Sequence, residues 1–115
     1  MAQRRRKRDQ AFAETVGANL SRLRRAAGIS QEALGFRADV HRTAVSMLER
    51  GEEIPGSETL FKLSMALGVS PGQLFEGLSW EPPKYGAYSA GRVVVVDPQG
   101  SGRSLNAGRL VVKKA

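Results

Sequence analysis

The chain has 115 residues, 41% of them hydrophobic and 25% charged, with no cysteine and a formal net charge of +7. That is the composition of one globular domain with tails. It excludes a disulfide framework and thiolate metal sites, and no apolar run of about 18 residues offers a membrane span.

The charge is unevenly placed. Residues 1–10 carry a net +4, residues 11–75 carry seven charges of each sign, and residues 76–115 carry a net +3. The first segment, MAQRRRKRDQ, lacks the apolar stretch of a secretory signal, so a cytoplasmic, nucleoid-associated protein is expected. Arg4, Arg5, Arg6, Lys7 and Arg8 form a like-charge run. Alone, such a run reads as a solvated arm; beside a polyanion it supplies phosphate contacts. Residues 1–9 are therefore read as a basic arm.

Residues 10–77 carry helical periodicity. Phe12, Val16, Leu20, Leu23 and Ala27 recur as one stripe of a helix that Gly28 ends. Ser30 is an N-cap for a second helix over 31–38, with Leu34 and Ala38 inward. Asp39 suits a turn. A third helix runs from Arg42 to Arg50 and stops at Gly51, and the loop EEIPGS leads to a fourth over 58–67. Ser70, Pro71 and Gln73 then place a capping box and an N1 proline at the start of a fifth. The expected fold class is all-α: a compact five-helix unit with a core of Val16, Leu20, Leu23, Leu34, Ala38, Val45, Leu48, Leu60, Leu63, Leu67 and Leu74, supported by Ile29 and Val69.

After Leu78 the character changes. Residues 79–91, SWEPPKYGAYSAG, read as a linker or extended segment. GRVVVVD (91–97) and GRLVVKK (108–114) are β-prone and could pair as a short hairpin across a long loop. Residues 78–115 are accordingly read as a C-terminal extension.

The third helix raises the functional question. At about 100° per residue, Arg42, Ser46, Arg50, Thr43 and Met47 fall within one arc, while Ala44, Val45 and Leu48 fall in another. The second arc packs. The first presents cations, two hydroxyls and a thioether, groups that suit the edges of base pairs: Arg donates two bonds to guanine, Ser and Thr donate or accept, and apolar atoms touch the thymine methyl. A solvated helix face has the same pattern. The order helix, short turn, short helix favours the first reading, because it is the helix-turn-helix arrangement.

The pieces LRRAAGISQEAL, VSMLERG, PGSETLFKL and ALGVS, within residues 15–76, resemble the lambda-repressor-like helix-turn-helix domain of Xre/Cro-like transcriptional regulators. The resemblance implies roles residue by residue. Arg42, Thr43, Ser46 and Met47 would read bases. Gln31 and Arg50 would contact the DNA backbone, and Arg24 would pair with Glu49 as a structural salt bridge. His41, just before the third helix, reads either as an exposed turn residue or as a phosphate contact, and the basic arm, by its charge, as a further backbone contact. Four positions depart from the family pattern: Gly35 in place of alanine, Asp39 in place of the turn glycine, Ser64 in place of alanine, and Phe36 where a polar residue is common. Phe36 reads either as a partly covered surface aromatic or as a dock for the tail or a partner.

The function expected is a sequence-specific double-stranded DNA-binding regulator, a two-fold dimer acting as a repressor. The alternative is an antitoxin-type protein whose residues 78–115 bind a protein partner. No cofactor, metal or membrane is expected, nor an enzyme: the chain has one histidine, no nucleophile elbow and no phosphate-binding glycine loop.

Overall fold

The computed structural model describes residues 7–84 and 91–96. Its elements are α1 (Lys7–Ala26), α2 (Gln31–Ala38), α3 (Arg42–Glu49), α4 (Ser57–Leu67), a short 3-10 helix (Pro71–Phe75), β1 (Leu78–Glu81) and β2 (Arg92–Val95). The helices start and stop where local chemistry directs. Ser30 Oγ accepts from the Ala33 amide at 3.0 Å at the head of α2, filling one orphan donor of the first turn. Asp39 ends α2 in the left-handed region at φ 58°, and the Val40 amide closes the turn on the Gly35 carbonyl at 2.9 Å.

Leu20, Leu23, Leu34, Ala38, Val45, Leu48, Leu63 and Leu74 form one buried cluster, with Ile29, Leu60, Leu67 and Val69 partly buried against it. The expected core is thus in place; Leu60 and Leu67 sit at its margin because their helix is covered on one side only. Ser64 is buried at 0% exposure within that core. It is satisfied internally, its hydroxyl donating to the Phe61 carbonyl at 2.9 Å, as expected of a helix-interior serine.

Two expectations are corrected. The fifth helix is not an α-helix but five residues of 3-10 helix. Ser70 and Gln73 form the capping box and Pro71 stands at the first turn, but those signals mark a helical start without fixing its pitch. Gly77 at φ 89° turns the chain into β1 before an α-helix can propagate. Buried Asn19 pins this turn to α1, its amide donating to the Leu74 and Glu76 carbonyls at 2.9 Å each.

The second correction concerns the hairpin. β2 pairs antiparallel with β1, in the register Leu78↔Val95, Ser79↔Val94, Trp80↔Val93 and Glu81↔Arg92. The segment read as linker therefore supplies β2's partner strand, while 108–114 lies outside the described residues. β2 lies against α1, Val96 is buried, and Arg92 bridges to Glu81 at 2.7 Å. A two-stranded sheet is marginal alone; packing on α1 gives it a floor. Among the described residues, no helix is long and apolar enough to cross a membrane.

Candidate nucleic-acid interface

α3 buries Val45 and Leu48 and exposes Arg42 and Thr43, with Ser46 and Met47 partly exposed. The split follows from helical spacing: positions 45 and 48 share one face, 42, 43, 46 and 47 the other. All four base-reading candidates therefore lie on the solvent side of one two-turn helix.

That helix is held by a buried ion pair. Arg24 of α1 donates from Nε to Glu49 Oε2 at 2.6 Å and from Nη2 to Oε1 at 3.0 Å, while its Nη1 donates to the Ile29 carbonyl at 2.8 Å. The two side chains are only 10% and 6% exposed. Burial pushes the Glu49 carboxyl up; hydrogen bonds from Arg24, Gln31 and Ser21 outweigh it and hold the group below the usual carboxylate range. The bidentate fork fixes orientation as well as distance, so the end of α3 is locked to α1 and to the start of α2.

Close backbone approach completes the fixing. A Cβ on Gly17 would stand 2.2 Å from the Leu48 carbonyl oxygen and 2.9 Å from that of Glu49, and one on Gly35 would stand 2.4 Å from the Val40 carbonyl oxygen. The first approach seats α1 on the end of α3; the second keeps the turn from α2 to α3 tight.

The backbone-contact candidates sit around this helix. Gln31, the first residue of α2, donates from Nε2 to Glu49 Oε1 at 2.9 Å, which leaves its second amide N–H and its carbonyl for another partner. His41 caps α3: its Nδ1 accepts from the Thr43 amide at 3.0 Å. An accepting Nδ1 places the ring proton on Nε2, a donor pointing away from the helix. Its poor propensity as a cap is overridden by this bond. Arg50 Nε and Nη2 donate to Glu52 at 2.8 and 3.1 Å, and Nη1 donates to Ser46 Oγ. Arg4, Arg5 and Arg6 lie outside the described residues, and Lys7 and Arg8 open α1.

A family model described as helix-turn-helix matches residues 20–74, from the middle of α1 to the 3-10 helix. An HTH-type transcriptional regulator of Sinorhizobium fredii, y4dJ, is 44% identical over 59 residues, 51% of this chain and 77% of that protein. The chain belongs to the Xre-type helix-turn-helix regulators. Control protein C.BamHI of Bacillus amyloliquefaciens is 44% identical over 48 residues, 42% of this chain and 59% of that one. Among solved structures, the restriction-modification controller C.AhdI of Aeromonas hydrophila matches with 37% identity and TM-score 0.56, over 56% of this chain and 98% of that one. The P22 c2 repressor, solved in complex with a synthetic operator, matches with 39% identity and TM-score 0.51, over 54% and 94%. The regulator is thus a DNA-binding protein whose α2 and α3 form the helix-turn-helix pair.

Sequence reasoning missed three residues that shape this site. Gly17 passed as an ordinary helix residue, because its need comes from the carbonyls at the end of α3. Glu52 passed as a loop charge, and Asn19 as a polar position on α1. Tertiary contacts reveal Gly17 and Asn19, and the turn that ends α3 reveals Glu52. Phe36 is 88% exposed, so no element among the described residues covers it, and most of the tail lies outside them.

Proposed function

We propose that the regulator is a dimeric repressor that reads the major groove with α3. Arg42, Thr43, Ser46 and Met47 face base edges, where Arg42 makes the bidentate contact that selects guanine. Gln31, at the head of α2, donates its remaining amide N–H to a phosphate, and His41 does the same through Nε2. The observation that carries the reading is the buried Arg24–Glu49 clamp. It presents a short polar helix face in one fixed orientation, the pre-organisation that direct readout needs.

Because residues 11–75 balance in charge, the arm with Arg4, Arg5, Arg6, Lys7 and Arg8 supplies much of the phosphate attraction. The test is selection of bound duplexes from a random library. A two-fold symmetric motif, with half-sites about one helical turn of 34–36 Å apart, is the expected result. Enrichment of no motif, with binding that fades on adding salt, contradicts it and shifts attention to a protein partner for residues 78–115.

A further inference from the structure

We propose that Glu52 is a specificity-determining residue: by clamping Arg50 it fixes Ser46 as a hydrogen-bond donor on the face of α3 and withholds Arg50 from the DNA backbone. The inference rests on the reading of α3 as the base-reading helix and reassigns Arg50 from phosphate contact to positioning.

The geometry begins at the end of α3. Gly51 takes φ 73°; its amide donates to the Leu48 carbonyl at 3.1 Å, and the Glu52 amide donates to the Met47 carbonyl at 3.0 Å. This pair of bonds is a Schellman turn. It folds the chain back so that Glu52 lies beside the helix it has just left. Glu52 takes the Arg50 guanidinium with both carboxylate oxygens, at 2.8 Å from Nε and 3.1 Å from Nη2. The remaining terminal nitrogen of Arg50, Nη1, donates to Ser46 Oγ one turn back.

The consequence for Ser46 is chemical. A serine hydroxyl has one proton and two lone pairs. With a guanidinium donating to one lone pair, the proton points elsewhere. The cation draws electron density from the oxygen, which makes it a stronger donor and a weaker acceptor. Ser46 therefore favours bases with an acceptor in the major groove, guanine N7 and O6, adenine N7 or thymine O4, over the amino group of cytosine. Arg50 meanwhile has its charge matched by Glu52, whose carboxyl is held below the usual range by the Arg50 hydrogen bond.

The experiment compares wild type, Glu52→Gln, Arg50→Gln and Ser46→Ala. Each is assayed for base preference by duplex selection and for affinity across a salt series. Both Arg50 and Glu52 are exposed, so the variants should fold, and thermal melting verifies this. Ser46→Ala locates the base pair in question. Glu52→Gln is expected to relax preference at that same base pair several-fold. It should also steepen the slope of log K against log salt by about 0.9, the value for one further neutralised phosphate. Arg50→Gln should relax the same position and leave the slope unchanged.

An unmoved preference in Glu52→Gln overturns the proposal, as does an unmoved or shallower slope. So does a slope in Arg50→Gln that falls by about 0.9, which would mark Arg50 as a phosphate contact. If wild type selects a motif and Glu52→Gln selects it unchanged, this inference alone fails. If wild type selects none, the reading of α3 fails with it.

Discussion

Gly35 shows how a residue's role depends on its neighbours. Helix propensity alone makes Gly35→Ala stabilising by about 0.5–1 kcal/mol. The structure reverses the sign: a Cβ there meets the Val40 carbonyl oxygen at 2.4 Å, and overpacking of this kind costs about 1–3 kcal/mol. A lower melting temperature in Gly35→Ala is the expected outcome, and a higher one would show that the turn yields. Ser30 and Ser64 were legible in the sequence because their bonds reach no further than one turn. Gly35 and Gly17 were not, because the atoms that exclude a side chain come from another element. Glu49 adds a pH dependence. Its carboxyl is lowered in the folded state, so its stabilising contribution is present above the ordinary carboxylate range. That contribution is lost as the pH falls through the lowered native value. Acid titration of the melting temperature should show this loss in wild type and not in Glu49→Gln, which should already be destabilised at neutral pH. Removing one partner of a buried pair costs about 3–5 kcal/mol.

At the scale of elements, four α-helices were readable because their apolar spacing and caps agree. The 3-10 helix and the hairpin were not. Ser70, Pro71 and Gln73 announce a helical start of either pitch, and Leu78–Glu81 is too short, and too close to Pro82 and Pro83, to look like a strand. Each is specified by what it packs on. Asn19 ties the 3-10 helix to α1 through two carbonyls, and removing a buried donor from such bonds costs about 1–3 kcal/mol. Asn19→Ala should lower the melting temperature accordingly; an unchanged value would mean that Leu74 alone holds the turn. The cap on α3 makes a separate prediction. His41→Ser keeps a side-chain acceptor for the first turn and removes the Nε2 donor, so folding should persist while affinity falls equally for all DNA sequences. Affinity that falls for the selected motif alone would instead place His41 at a base.

For the whole molecule, the proposed reading assigns holding DNA to the basic arm and reading it to α3. Residues 11–75 are balanced, and residues 1–10, whose last four already belong to α1, carry a net +4. Deleting residues 2–8 removes five cations and should flatten the slope of log K against log salt by about 0.9 for each phosphate that the arm neutralises. Sequence preference should survive, because the base-reading candidates are all on α3. An unchanged slope would remove the arm from the interface. The uneven charge on which this proposal rests was readable in the segment charges at once. What the residues did not show was the close backbone approach at Gly17 and at the turn at Gly35, which, with the Arg24–Glu49 pair that the family resemblance implied, aim α3 through packing between elements.

Whether the exposed face of α3 reads bases is decided by comparing duplexes selected by the intact regulator with those selected by Arg42→Ala. A two-fold symmetric motif is expected for the intact protein, with preference relaxed at one position in each half-site for the variant and kept elsewhere. A variant that selects the same motif, position for position, would contradict base reading by this face.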